Sequence, residues 1–150
     1  RYGHEPLPLS AEQRSTSAAL LWLLKGHAAQ RAIAAWHAGW QPARDTSGDG
    51  WLAPHLARLL DDPYGVVRHI ANESLKKQPG FAQFEFDFIA PESERARLAR
   101  RAITRWNRLP GNADDAAGDA VLIDPDRQLM ETAIQALLKN RDDRPVTIKE

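Results

Sequence analysis

Residues 61–75, DDPYGVVRHIANESL, decide how the whole chain is read. Asp61, Asp62, Arg68, His69 and Asn72 cluster here and could do chemistry, yet their spacing is that of a helix start followed by a helix face. Asp62 is a good N-cap, and Pro63 suits the first helical position, where its missing N–H costs nothing. Val66, Val67, Ile70, Ala71 and Leu75 then recur at three- and four-residue steps and make an inward apolar stripe. His69 and Asn72 fall off that stripe. They are expected at the surface as candidate partner-binding groups, with no neighbour to make them an acid–base pair.

Working outward, further helix signals recur at similar intervals. Ser10 and Gln13 form a capping box and Gly26 is a natural stop, which predicts a helix over about 11–25. In HAAQRAIAAWHAGW, residues 27–40, the stripe Ala29, Ala32, Ile33, Trp36 and Trp40 predicts a second helix packing on that side. WLAPHLARLL predicts a third over about 51–60, with Pro54 tolerable only in its first turn. The opening stretch is the fourth. Downstream, PGFAQFEFDFIAP (79–91) alternates Phe84, Phe86 and Phe88 with Glu85 and Asp87, a period of two that predicts an extended arm or lone strand. A helix over about 92–109 puts Leu98, Ala102, Trp106 and Leu109 inward. A loop rich in Gly, Asp and Asn ends in an Asp124-Pro125 start, and a last helix to 139 buries Met130, Ala133, Ile134, Leu137 and Leu138. Residues 140–150 read as a tail.

Composition bounds the function. The chain has 150 residues, 43% of them hydrophobic, enough for one compact domain. Its 20 basic and 20 acidic residues cancel, so no overall field draws it to nucleic acid or an anionic membrane. There is no cysteine, which excludes disulfides, thiolate metal sites, cysteine nucleophiles and covalent c-type haem attachment. No apolar run approaches the roughly 20 residues that span a bilayer. With Arg1 first and Met130 its only methionine, the chain is expected to be a piece of a larger protein.

The segments RAIAAW (31–36) and RHIANE (68–73) share Arg-x-Ile-Ala, each shortly after a Leu-Leu at 23–24 or 59–60. That self-similarity is the mark of a helix-pair repeat. Asp62-Pro63, Val67-Arg68, Ala71 and Leu75 resemble the second helix of a HEAT repeat, in which an Asp-Pro turn precedes Val-Arg, an alanine and a leucine. The resemblance covers 51–77 and 10–40, and beyond 90 the chain departs from a regular repeat. It implies an all-α fold, a short HEAT-like α-solenoid of antiparallel helix pairs: repeat one at about 10–40, repeat two at about 51–77, an arm at 79–91, closing helices at about 92–109 and 125–139, and a tail. In such repeats the arginine pairs with an aspartate of its own or the neighbouring repeat, so Asp61 or Asp62 is the expected partner of Arg68 and of its counterpart Arg31. The stretches LLKGHAAQRAIAAWHAGW, WLAPHLARLLDDPYGVVRHIA and RDDRP are also similar to haem-free helical C-terminal regions of bacterial multihaem cytochrome c proteins. That similarity implies an exported or periplasmic scaffold of an electron-transfer protein; without it a cytoplasmic location is expected.

Other candidates are weaker. DTSGDGWL (45–52) places Asp45, Ser47, Asp49 and Gly50 like the start of a calcium loop, but the closing position is Leu56 and not a bidentate glutamate, so a turn-forming loop is expected. His4, His27, His37, His55 and His69 form no i, i+3 or i, i+4 pair, and no metal or other cofactor is expected. The arginine-rich helix 94–108, with Arg101 and Arg105 as candidate contacts, could grip a nucleic-acid backbone as in HEAT-like DNA-repair enzymes; Asp114, Asp115, Asp119, Asp124 and Asp126 are expected to neutralise it. Trp22, Trp36, Trp40 and Trp51 are expected to fill the gap between helix pairs, with Trp36 and Trp40 as a candidate partner pocket. The reading that follows is a non-catalytic module that binds a protein partner.

Overall fold

The computed structural model describes residues 6–111 and 117–146. Eight α-helices lie among them: α1 (Ala11–Ser15), α2 (Ala18–Leu24), α3 (Ala28–Ala38), α4 (Gln41–Ser47), α5 (Leu52–Arg58), α6 (Gly65–Lys76), α7 (Glu92–Arg108) and α8 (Glu131–Lys139). Short 3₁₀ turns follow α5 and precede α8, and no strand is present among the described residues. The protein is all-α.

The helix expected over 11–25 is two helices. Ser10 makes its capping box with Gln13, but the chain is extended at Thr16, and the Ser17 N–H goes to the Ala120 carbonyl at 2.8 Å. A tertiary hydrogen bond therefore replaces a helical one and breaks the helix. Pro54 sits in the first turn of α5, where its missing N–H is harmless. Leu52 to Ala57 are all buried, His55 included. A helix buried on every side is a core helix, and α5 contacts α2, α6 and α7.

α6 starts later than the Asp-Pro signal suggests. Asp62 Oδ1 accepts the Tyr64 N–H at 2.9 Å, and the helix begins at Gly65. Its inner face is Val67, Ala71, Ser74 and Leu75, while Val66 is exposed, contrary to expectation. That face lies on α3. Gly39 follows α3, and a Cβ there would fall 2.5 Å from Ser74 Oγ, so glycine permits the close approach to α6, and Gln78 closes the far end by donating to the Ala38 and Ser74 carbonyls.

The phenylalanine-rich segment is not a strand. Phe81 and Phe84 are buried edge to face, their ring centroids 5.8 Å apart, and Phe86 packs on the core, so the segment covers the helices as an irregular arm. α7 matches the expectation and buries Leu98, Ala99, Ala102 and Trp106. The last helix begins only at Glu131, because Asp124 closes a turn by accepting the Gln128 N–H and isolated bridges tie Ile123 to Gly118 and Leu129. Ile134 and Leu137 are its buried residues, with Met130, Ala133 and Leu138 half-buried against the core.

Residues 141–144 are not a loose tail. The Asp142 N–H donates to the Lys25 carbonyl, and the Asp142 carbonyl accepts from Arg31. The segment straps the ends of α2 and α3.

Candidate interaction surface

The polar centre of the molecule is built from Arg31 and Asp62, both with 0% exposed side chains. Arg31 Nε and Nη2 donate to the two Asp62 carboxylate oxygens at 2.7 and 3.1 Å. Arg31 Nη1 donates to the carbonyls of Gly26 and Asp142 at 2.7 and 3.1 Å. Asp143 approaches Nη2 at 3.3 Å, and the guanidinium lies 5.7 Å from the Tyr64 ring centroid. A bidentate, fully hydrogen-bonded pair is the form in which a buried charge is tolerated. Arg31 thus takes the aspartate of the turn before α6.

Arg68 does something else. Its guanidinium donates to the main-chain carbonyls of Asp62, Pro63 and Phe88 at 2.6–3.0 Å, bracing the turn and pinning the arm instead of engaging a carboxylate. Asp61 faces Arg95 at 3.6 Å; partial burial raises its carboxyl pKa, against the pull of Arg95. Pro63 lies in the turn, and Val67, Ala71 and Leu75 are core.

Asn72 is buried at 4% exposure, so it is not a surface contact group: α6 turns it towards the interior together with Ala71 and Leu75. Its Oδ1 has no hydrogen-bond partner. His69 is exposed with its ring 5.1 Å from that of Phe88. The structure does not bring His69 and Asn72 together as a site.

Three of the remaining histidines lie among the described residues. His27 caps α3 through the Gln30 N–H, His37 lies 5.6 Å from the Trp40 ring, and His4 lies outside the described residues. His55 is buried, its Nε2 2.8 Å from the Val121 carbonyl. A carbonyl only accepts, so Nε2 carries the proton and Nδ1 is bare and unpartnered. Burial lowers the His55 pKa from 6.5 to about 4, with the Val121 hydrogen bond opposing it. The unfolded chain therefore gains a proton near pH 6.5 that the folded chain refuses until about pH 4, so stability falls as pH drops through that window. The loss is on the order of 3 kcal/mol. Urea midpoints for the native chain and His55→Gln should diverge in slope between pH 7 and 4, with the native chain the steeper; parallel curves would contradict a neutral buried imidazole.

Asp45 and Asp49 do not converge. Asp45 accepts from Gln41, and Asp49 pairs with Arg44 at 2.8 Å. No group of three acidic or histidine side chains is placed to hold a metal among the described residues.

The tryptophans depart furthest from expectation. Trp51 is buried and donates to the Ser47 carbonyl, but Trp22, Ile33, Trp36 and Trp40 are about half exposed. α3 instead buries Ala28, Arg31, Ala35 and Ala38. Both sides of α3 are apolar, and the small side is the one that fits closely against α6. Trp36 (57% exposed) and Trp40 (48%) stack with ring centroids 6.2 Å apart and planes 15° from parallel. Beside them a groove of about 490 Å³ opens between α2, α3 and α4, lined by Leu23, Ala34, Ala38, Trp40, Trp51 and Leu52. Its volume is that of a ligand pocket, and its walls are mainly apolar.

On α7, Arg95 donates to the Ala90 carbonyl, Arg97 pairs with Glu94, and Arg105 donates to the Gly80 carbonyl. Arg100, Arg101 and Arg108 are exposed. Of the aspartates expected to neutralise them, Asp114 and Asp115 lie outside the described residues, and Asp124 is spent on its own turn. No helix is long and apolar enough to cross a membrane among the described residues.

No family model, curated protein or solved structure matches the chain.

Proposed function

We propose that the chain is a non-catalytic protein-interaction or scaffold module in which two HEAT-like antiparallel helix pairs, α2–α3 and α5–α6, stack as a short α-solenoid within a larger electron-transfer protein. The observation that carries this reading is the exposed apolar pair Ile33 and Trp36 on α3, whose other side is packed on α6, with Trp40 at the start of α4 stacked on Trp36. Contiguous exposed apolar surface on a rigid frame marks a protein contact, and half-exposed tryptophans are characteristic anchors of one. The Arg-x-Ile-Ala repeat, with Arg31 reaching Asp62 between the pairs, supports the stacked arrangement. The electron-transfer setting rests on sequence similarity alone.

A second reading, nucleic-acid binding or repair through α7, is favoured by the exposed Arg100, Arg101 and Arg108. One experiment separates the two. A photo-crosslinking residue is placed at Trp36, and another at Thr104 on the exposed side of α7, in the full-length protein in its own cells. The module reading expects polypeptide adducts from position 36. Nucleic-acid adducts from position 104 with none from 36 would replace it by the second reading.

A further inference from the structure

We propose that the cavity beside the C-terminal end of α7 binds a small organic anion, a carboxylate or phosphate ester on a compact apolar body, with Arg127 as its cation. The cavity measures about 400 Å³, the size of a small-ligand pocket. Ala53, Pro79, Leu109 and Pro110 give it apolar walls, and Gly48, Gly50, Gly80 and Gly111 complete the lining with bare backbone.

Arg127 stands out in that wall. Its backbone is left-handed, with φ at 59°, in the turn where its N–H donates to the Asp124 carbonyl at 3.0 Å. A side chain is strained in that conformation, and such strain concentrates at active sites and ligand clamps. The guanidinium lies 4.5 Å from the Trp106 ring centroid, and its Nη1 donates to the Leu109 carbonyl at 2.7 Å. A Cβ on Gly111 would fall 2.9 Å from its Cζ. Trp106, Leu109 and Gly111 all line the cavity, which puts the guanidinium in its wall. Among the described residues no carboxylate pairs with this half-buried cation, and its Nε is buried without an acceptor. A guanidinium held in place without a counter-charge is costly by itself and is complementary to an oxyanion. The neighbouring charges favour the same sign of ligand. Asp49, in the lining, is already paired with Arg44 at 2.8 Å, and Arg105 donates to the Gly80 carbonyl.

Nuclear magnetic resonance titration of the isotope-labelled whole chain tests the site. Benzoate or phenyl phosphate should move the amide signals of Gly50, Gly80 and Gly111 and the Trp106 indole N–H, with a dissociation constant on the order of 1 mM for so few atoms. Benzamide, similar in shape but uncharged, should move none of them. Arg127→Asn keeps a residue that tolerates left-handed backbone and should weaken binding about tenfold or more, with the rest of the spectrum unchanged. Gly111→Ala, whose methyl displaces the guanidinium, should weaken it as well. Glycine signals that stay still with both anions at several millimolar, or benzamide binding equally well, would overturn the proposal. Binding that survives Arg127→Asn, or Gly111→Ala if the first variant does not fold, would do the same. Inorganic phosphate binding as tightly as phenyl phosphate would reduce the site to an adventitious ion only. Binding that appears only after Asp114→Asn with Asp115→Asn would show that Arg127 is neutralised within the chain, and would also overturn it. The cavity shares no lining residue with the groove beside Trp40, so its failure leaves the protein-contact reading untouched.

Discussion

Arg31→Met is expected to destabilise the protein by about 3–5 kcal/mol, because it leaves the Asp62 carboxylate buried without its counter-charge. Asp62 keeps only the Tyr64 N–H and a distant Arg141, 3.9 Å away. The same change also removes the donor to Gly26 and Asp142, so the 141–144 strap loses its anchor on α3. In a chain of this size the thermal midpoint should fall by roughly 10–15 °C, followed by far-UV circular dichroism. Replacing both partners, Arg31→Met with Asp62→Leu, should recover much of the loss, since an apolar pair of similar volume carries no desolvation penalty. A single variant within two or three degrees of the native midpoint would show that the pair is dispensable.

Trp106→Ala carries the second large effect. The ring is 2% exposed in the face of α7 that meets α5, its Nε1–H donates to the Gly50 carbonyl at 3.0 Å, and Arg127 stacks on it at 4.5 Å. Truncation opens a cavity and unpairs a carbonyl, a cost of about 3–5 kcal/mol. Trp106→Phe should cost far less, about 1–2 kcal/mol, because most of the volume stays and mainly the hydrogen bond is lost. Urea midpoints for the two variants measure the difference, and equal losses would show that the hydrogen bond dominates over volume.

Much of the fold is legible in the residues themselves. Ser10 with Gln13, Pro54 in a first turn and the Leu98–Ala102–Trp106 stripe act within a few residues of their own positions, and these local signals place helices where they form. Boundaries failed where a distant group competes for a backbone donor, as Ala120 does for Ser17, or where a carboxylate closes a turn before the helix, as Asp62 and Asp124 do. The candidate site was half legible. Trp36 and Trp40 stood out in the sequence, and the groove beside them is assembled from three helices, so no local pattern could reveal it. Asn72 was misplaced because a polar side chain at the margin of an apolar stripe carries no local mark of burial.

By itself the sequence determined an all-helical chain, the capping box that starts α1, and two Arg-x-Ile-Ala segments with an aspartate near the second to pair with an arginine. Tertiary structure alone decided which face of α3 is the inside. The helix is apolar on both sides, so periodicity cannot choose between them. Close approach to α6 admits Ala28, Ala35 and Ala38 but not tryptophan, and Arg31 must reach Asp62 from that same side. Those two requirements turn Ile33 and Trp36 outward, and with Trp40, stacked on Trp36 at the start of α4, they form the surface on which the functional reading rests.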